Sequence, residues 1–211
     1  MKFLIRLLFC SLFFIANAQA DIKDISRIYH GTPSLNAFEI CQGGGCAEVS
    51  QLNLSQAEWQ PISQIFSSKA QNASQERAQI AKAIGALESV VGVKIGTTSD
   101  RAGTFDNSNY QGQLDCNDEA INTTTYMRLL KQNGLMQHHE IEDTRTRNFF
   151  FTGWPHTTAV IHDIKTGERY AVDSWFYDNG APAVIVPFAE WKANYEPADS
   201  PIGKSRGTAI K

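Results

Sequence analysis

The hydrophobic period of this chain changes once, near residue 135, and that change limits the folds open to it. Before it, apolar residues recur at helical spacing. Over residues 73–96, Ile80, Ala83, Ile84, Leu87 and Val91 follow a 3.6-residue period, with Ser74 placed to cap. An earlier segment, residues 53–68, carries Ser55 as a cap and Trp59, Ile62, Ile65 and Phe66 on one side; Pro61 would mark the first turn of its regular part. Over residues 116–134, Cys116, Ala120, Thr123, Met127 and Leu130 share a face, and Gly134 stands where helices stop. After residue 135 the period becomes two. Residues 135–142, 147–153, 156–164, 168–176 and 182–188 read as strands, with a Lys-Thr-Gly-Glu turn between the third and fourth. Helices followed by antiparallel strands predict an α+β domain whose cysteine helix packs on one face of the sheet. The polar, glycine-bearing residues 97–114 read as a loop, and residues 21–53 as short strands or an irregular arm.

The chain opens MKFLIRLLFCSLFFIANAQA: a basic start, a short apolar run and a small-x-small end at Ala18-Gln19-Ala20. This is the pattern of a secretory signal peptide over residues 1–20, too short in its apolar part to favour a membrane span, which takes about 20 apolar residues. Cys10 would leave with it, and its surroundings lack a lipoprotein cleavage context. The expected location is therefore periplasmic or secreted, with no membrane span after signal cleavage. Charged residues make up 19% of the chain with a net charge of -3 and no basic block, which excludes nucleic acid and anionic membrane surfaces as natural partners.

Export places the remaining cysteines in an oxidising compartment. Cys41 and Cys46 bracket three glycines that let the chain fold back, so a local disulfide is expected. Two reduced thiols in a loop are the alternative; a zinc site lacks a second ligand pair at suitable spacing. Cys116 is then the odd thiol of an exported protein, either buried or reactive.

Its position at a helix start bears on which. First-turn N–H groups have no helical acceptor and carry the positive end of the helix dipole, so they stabilise a thiolate and can receive a developing oxyanion. Asp115 and Asp118 oppose a thiolate unless they act as caps or bind something else. A small apolar thiol buried in the core is the plainer reading. A nucleophilic thiol needs a base, and the base an orienter. The histidines after the signal are His30, His138, His139, His156 and His162. His156 opens a strand, and the next apolar strand contains Asp173, an acid that is costly there unless paired. An imidazole across the hairpin would satisfy it and fix its tautomer. A two-residue turn at Thr166-Gly167 sets Asp173 opposite Val160; direct opposition to His156 needs the turn centred on Ile164-Lys165 or a bulge. Every symmetric register keeps the two on one face.

The Asp-Cys-Asn-Asp-Glu-Ala stretch at Cys116, the helix end Arg-Leu-Leu-Lys-Gln-Asn-Gly-Leu, and HTTAVIHDIKTGERYAVDSW from His156 resemble the transglutaminase-like superfamily over residues 110–176. The separations of Cys116, His156 and Asp173, 40 and 17 residues, are similar to those of bacterial transglutaminase-like cysteine proteinases, and Asp-Ser-Trp is similar to the Asn-Ser-Trp of papain relatives. The resemblance implies a papain-like core with Cys116 as nucleophile, His156 as general base then acid, and Asp173 as orienter. It implies an oxyanion donor among Gln111, Gln113, Tyr110 or a tryptophan. It divides the chain into the signal at 1–20, an N-terminal extension with helices packed on the core at 21–96, and a catalytic core at 97–211. The function implied is an exported cysteine hydrolase of peptide or isopeptide bonds acting on a protein or peptide substrate. Acyl transfer to an amine uses the same residues, and a non-catalytic binding module on the same framework is the alternative from another class.

Trp154, two residues before His156, either walls a cleft or packs in the core. His138 and His139 point to opposite faces of a strand and make a poor chelate. His162 reads as an ordinary hairpin residue, and His30 stands alone. Residues 107–118 have an oxygen-rich spacing faintly like a calcium loop, but begin with Asn107 and end in Asp118 rather than a bidentate glutamate. No cofactor is required, and calcium is the one metal the pattern leaves open.

Overall fold

The computed structural model describes residue 28 and residues 31–104, 111–148 and 155–202. The proposed signal, His30, Tyr110 and Trp154 lie outside these residues, as does most of the strand expected at 147–153. The elements run β1 (Phe38–Gln42), β2 (Glu48–Leu52), α1 (Gln56–Gln64), α2 (Ala73–Ile95), α3 (Cys116–Gln132), β3 (His139–Arg147), β4 (His156–Asp163), β5 (Arg169–Asp173), β6 (Val184–Pro187) and the short α4 (Phe188–Lys192). The strands form a β1–β2 hairpin and a sheet in the order β3-β4-β5-β6, all antiparallel. The α+β expectation holds, and residues 21–53 contain short strands.

Local chemistry sets the helix ends. Ser55 and Glu58 form a reciprocal capping box at α1, and Pro61 lies inside that helix. The cap of α2 is Asn72, whose side chain accepts from Gln75 N at 2.9 Å, not Ser74. Asn and Ser rank alike at this position, so residue type could not separate them. Past α3, Gly134 at φ +72 lets its N–H reach Lys131 O while Leu135 N reaches Leu130 O, a Schellman ending that only a left-handed residue permits. The next strand begins at His139 rather than at residue 135, because the N–H groups of Gln137 and His138 are taken by the Glu76 carboxylate.

The sheet separates two cores. Ala159, Ile161 and Val172 face a large cluster with Ile84 and Leu87 of α2 and Met127 and Leu130 of α3. Ala171 points the other way, to a smaller cluster containing Trp175, Phe176, Trp191 and Ile202. Cys116 belongs to the smaller cluster while the body of its helix belongs to the larger. The first turn of α3 therefore reaches past the sheet to its second face.

The β4–β5 register is intermediate between the two that parity allowed. Val160 pairs with Ala171 and His162 with Arg169. Residues 164–167 make the connection, closed by Gly167 N to Asp163 O at 2.8 Å, while Asp163 Oδ1 accepts Lys165 N at 2.8 Å. The turn thus centres on Lys165-Thr166. Asp173 falls one diagonal step from His156 on the same face, a separation long side chains span.

Among the described residues no helix is long and apolar enough to cross a membrane.

Candidate functional site

The start of α3 is built by two acids with two tasks each. Asp115 caps the helix, accepting Asn117 N and Asp118 N at 2.9 Å. Its second oxygen accepts Gly45 N at 2.8 Å. Asp118 accepts Gly44 N at 2.8 Å and Cys46 N at 2.6 Å. One turn on, Asn122 exchanges hydrogen bonds with both backbone groups of Cys41, at 2.7 and 2.9 Å. The expected Cys41–Cys46 disulfide is formed. Gly43, Gly44 and Gly45 between its cysteines, and Cys46 itself, all have positive φ, which turns successive N–H groups toward the two carboxylates. The acids flanking Cys116 are thus the anchor of the disulfide loop. Burial pushes Asp118 up to about 6, the charge of Asp115 adds to this, and the N–H groups of Cys46 and Gly44 oppose it.

His156 and Asp173 meet as the hairpin parity allowed: His156 Nε2 lies 2.7 Å from Asp173 Oδ2. Both are nearly buried, at 3% and 2% exposed. The imidazole lies against Trp175, with ring centroids 4.5 Å apart, and near Phe176 and Trp191 at 5.6 Å. An ionised carboxylate only accepts, so Nε2 carries the proton and neutral His156 keeps its lone pair on Nδ1. That Nδ1 is buried and has no hydrogen-bond partner among the described residues.

A second histidine–acid pair shows the contrast. His139 Nδ1 lies 2.8 Å from Glu76, and Arg77 Nη1 lies 3.2 Å from its Nε2. A guanidinium can only donate, so Nε2 accepts and both ring nitrogens are spent. His139 is a structural pin. His138 projects elsewhere, its Nε2 3.2 Å from Ala70 O, so the two adjacent histidines do diverge. His162 stands beside Glu142 on the hairpin.

Cys116 is 6% exposed, and its thiol lies near the backbone N–H of Thr157, the residue after His156. Burial pushes the thiol up to about 12; the charges of Asp115 and Asp173 add to the rise, and the N–H groups of Thr157 and Cys116 oppose it. A free-standing thiolate, one of the two readings the helix position left open, is therefore not the resting form. Desolvation and two nearby carboxylates outweigh the dipole.

Of the other candidates, Gln113 is occupied: its Oε1 accepts Arg101 N and Thr104 Oγ1 at 3.0 and 3.1 Å, and its Nε2 donates to Ser99 O at 2.9 Å. Gln111 is exposed. Trp175 gives its indole N–H to Thr104 O at 2.9 Å. Among the described residues no three His, Cys, Asp or Glu side chains converge to hold a metal ion. The oxygen-rich stretch lies partly outside the described residues, and Asp118 at its end is held by the disulfide loop.

Two features escaped the sequence. Trp191 donates its indole N–H to Asp173 Oδ2 at 2.7 Å, the oxygen that His156 uses. Asp100 and Glu119, both buried, form a carboxyl cluster with half-buried Glu88. Asp100 accepts Leu114 N at 2.8 Å and bonds the Glu119 side chain; Glu88 accepts Gly180 N at 3.2 Å and bonds Ser174. Burial raises all three: Asp100 to about 7, Glu88 to about 8, and Glu119 well above the carboxylate range. Glu119 is thus the protonated partner that donates to Asp100. The cluster ties α2, the 97–104 loop, the first turn of α3 and the segment after Asp173. An Asp or Glu inside an apolar helix stripe was the available signal, but nothing local tells a buried acid from a solvated one.

No family model, no curated protein and no solved structure matches this chain. The functional reading rests on the site's own geometry and the sequence pattern.

Proposed function

We propose that the chain is an exported cysteine hydrolase of amide bonds, acting on a protein or peptide through Cys116, His156 and Asp173 on a papain-like, transglutaminase-like framework. The observation that carries this reading is the His156–Asp173 pair: Nε2 is held at 2.7 Å while the buried Nδ1 is unspent, and the next residue, Thr157, turns its N–H toward the Cys116 thiol. An imidazole fixed on one nitrogen and open on the other is a general base in waiting.

The chemistry follows. The Cys116 thiol gives its proton to His156 Nδ1 as sulfur attacks the substrate carbonyl carbon. Until the C–S bond forms, the sulfur's charge is paired with the imidazolium, which removes the objection burial raises to a lone anion; once it forms, the negative charge is on the carbonyl oxygen. The Cys116 N–H, which the Asp115 cap does not use, is the donor available to the oxyanion. The tetrahedral adduct collapses, the imidazolium protonates the leaving amine, and a thioester remains. Water loses a proton to Nδ1 and attacks the thioester, releasing the acid and restoring the thiol. The Cys41–Cys46 bridge supports an oxidising compartment, hence periplasm or secretion.

The test is labelling of the signal-free protein with an epoxysuccinyl or vinyl-sulfone probe, followed by peptide mapping. An adduct on Cys116, lost in His156→Ala, is expected. A folded protein that gives no adduct, or one that reacts equally without His156, defeats the proposal. Mass analysis of products from peptide mixtures with and without added amine then separates hydrolysis from acyl transfer.

A further inference from the structure

Resting on that reading, we propose that Trp191 is the positioning residue that holds Asp173 in its working rotamer and sets the basicity of His156. Asp173 is 2% exposed, and its Oδ2 accepts two donors, His156 Nε2 and Trp191 Nε1, both at 2.7 Å. A buried carboxylate with one donor is free to rotate its second oxygen into place. Two donors from different elements, β4 and α4, converging on one oxygen fix which oxygen faces the imidazole.

Trp191 is itself immobilised. Its side chain is fully buried and stacks on Phe188, with centroids 5.6 Å apart and planes 17° off parallel. Arg147, the register partner of His156 across β3–β4, lies over the Trp191 ring at 4.7 Å and donates to the backbone carbonyls of Trp191 and Tyr195. The strand that carries the base is therefore tied to the short helix that orients the acid. The groups facing His156 from the elements around it are Asp173, the three rings of Trp175, Phe176 and Trp191, and the Arg147 guanidinium beyond Trp191; the titratable thiol of Cys116, in one cluster with those rings, is the group the proposed function adds from α3.

The electrostatic consequence has a definite sign. An N–H donated to Asp173 withdraws part of its negative charge from His156. Without that N–H the carboxylate favours the imidazolium more strongly, and the pKa of His156 rises. Trp191→Phe removes the donor and keeps a ring for Phe188 and Arg147 to contact.

The experiment is an NMR titration of His156 ring signals in the wild type and in Trp191→Phe, with melting temperatures measured alongside. An upward shift of at least about half a pH unit in a folded variant supports the proposal; an unchanged His156 titration overturns it. Where Trp191→Phe does not fold, the indole N–H resonance of Trp191 is followed in the wild type and in Asp173→Asn. Strong protection from exchange and a changed shift in the variant support the bond, and an exchanging, unmoved signal refutes it. Cys116 alkylation, run in parallel, separates the two readings. A moved His156 titration together with alkylation indifferent to His156 leaves the Trp191–Asp173 latch standing and removes the hydrolase.

Discussion

Asp118 accepts the Cys46 N–H at 2.6 Å, joining the helix of Cys116 to the disulfide loop across 72 residues of chain. The same carboxylate holds Gly44, so Asp118→Ala orphans two N–H groups in a loop whose positive φ angles leave it few other partners. Each hydrogen bond to a charged group contributes about 1.5–3 kcal/mol, so a loss of about 2–4 kcal/mol is expected after partial relaxation. Replacing both Cys41 and Cys46 by Ser should cost about 2 kcal/mol, because the loop they close is short. Urea unfolding measures both. Near-neutral stability in Asp118→Ala would show that the loop is not fastened through this acid.

The carboxyl cluster predicts a stability that falls with pH. Glu88 and Asp100 are raised to about 8 and about 7, and Asp118 to about 6. Their unfolded values lie near 4. Between these limits the folded protein binds more protons than the unfolded chain, so the slope of unfolding free energy against pH is negative. The contribution is complete below about pH 4 and is lost as pH rises through 6 to 8. Glu76 and Asp163 are shifted the other way, against the desolvation each suffers: Glu76 by the His139 ring and the N–H groups of Gln137 and His138, Asp163 by the N–H groups of Lys165 and Thr166 and the Arg77 charge; both act only at the acid end. Melting temperature should therefore drop between pH 5 and pH 9. Glu119→Gln, which keeps a donor to Asp100 and cannot ionise, should make the drop shallower at its alkaline end while leaving the part set by Glu88, Asp100 and Asp118. A flat or rising profile in the wild type contradicts the cluster.

Gly85 fixes how closely α2 approaches the segment after Asp173. A Cβ there would lie 2.5 Å from Ala181 O and 2.7 Å from Gly180 O, both backbone atoms that cannot swing aside. The same contact brings Glu88 to the Gly180 N–H. Gly85→Ala should destabilise by about 1–3 kcal/mol despite the better helix propensity of Ala. Val93, on the same helix and 74% exposed, is the control, and Val93→Ala should stay within about 0.5 kcal/mol. Equal effects of the two changes would mean that the loop gives way freely.

These residues also show where sequence reading reached its end. The α+β order was legible because the apolar period is a local property, and the shared face of His156 and Asp173 followed from strand parity alone. The register was not, because a four-residue connection held by the Asp163 side chain cannot be told from a two-residue turn at Thr166-Gly167. Asp115 and Asp118 read as liabilities to a thiolate because their partners, Gly44, Gly45 and Cys46, stand some 70 residues away. Trp191 lay in no motif: its role exists only where α4 meets the end of β5. Glu119 stood out from no pattern, because its burial against Asp100 depends on a loop that lies before α3 in the chain.

The sharpest prediction concerns the pH profile of Cys116. If the thiol ionised alone at about 12, its thiolate fraction near pH 7.5 would fall about three orders of magnitude below that of an ordinary thiol at about 8.5. Alkylation by iodoacetamide would then be extremely slow and rise tenfold per pH unit to beyond pH 10. Proton transfer to His156 Nδ1 gives a different curve. The ion pair forms as His156 takes the thiol proton, so the rate should level off to a plateau instead of following the thiol's own ionisation. His156→Ala should convert the plateau into the steep climb and slow labelling at pH 7.5 by at least about 100-fold. Asp173→Asn should lower the plateau less, because the imidazole remains but loses its orienter and the charge that favours its cation. A wild-type curve already climbing without a plateau, and superimposable on that of His156→Ala, would mean that sulfur and imidazole never exchange a proton and that Cys116 is a core thiol.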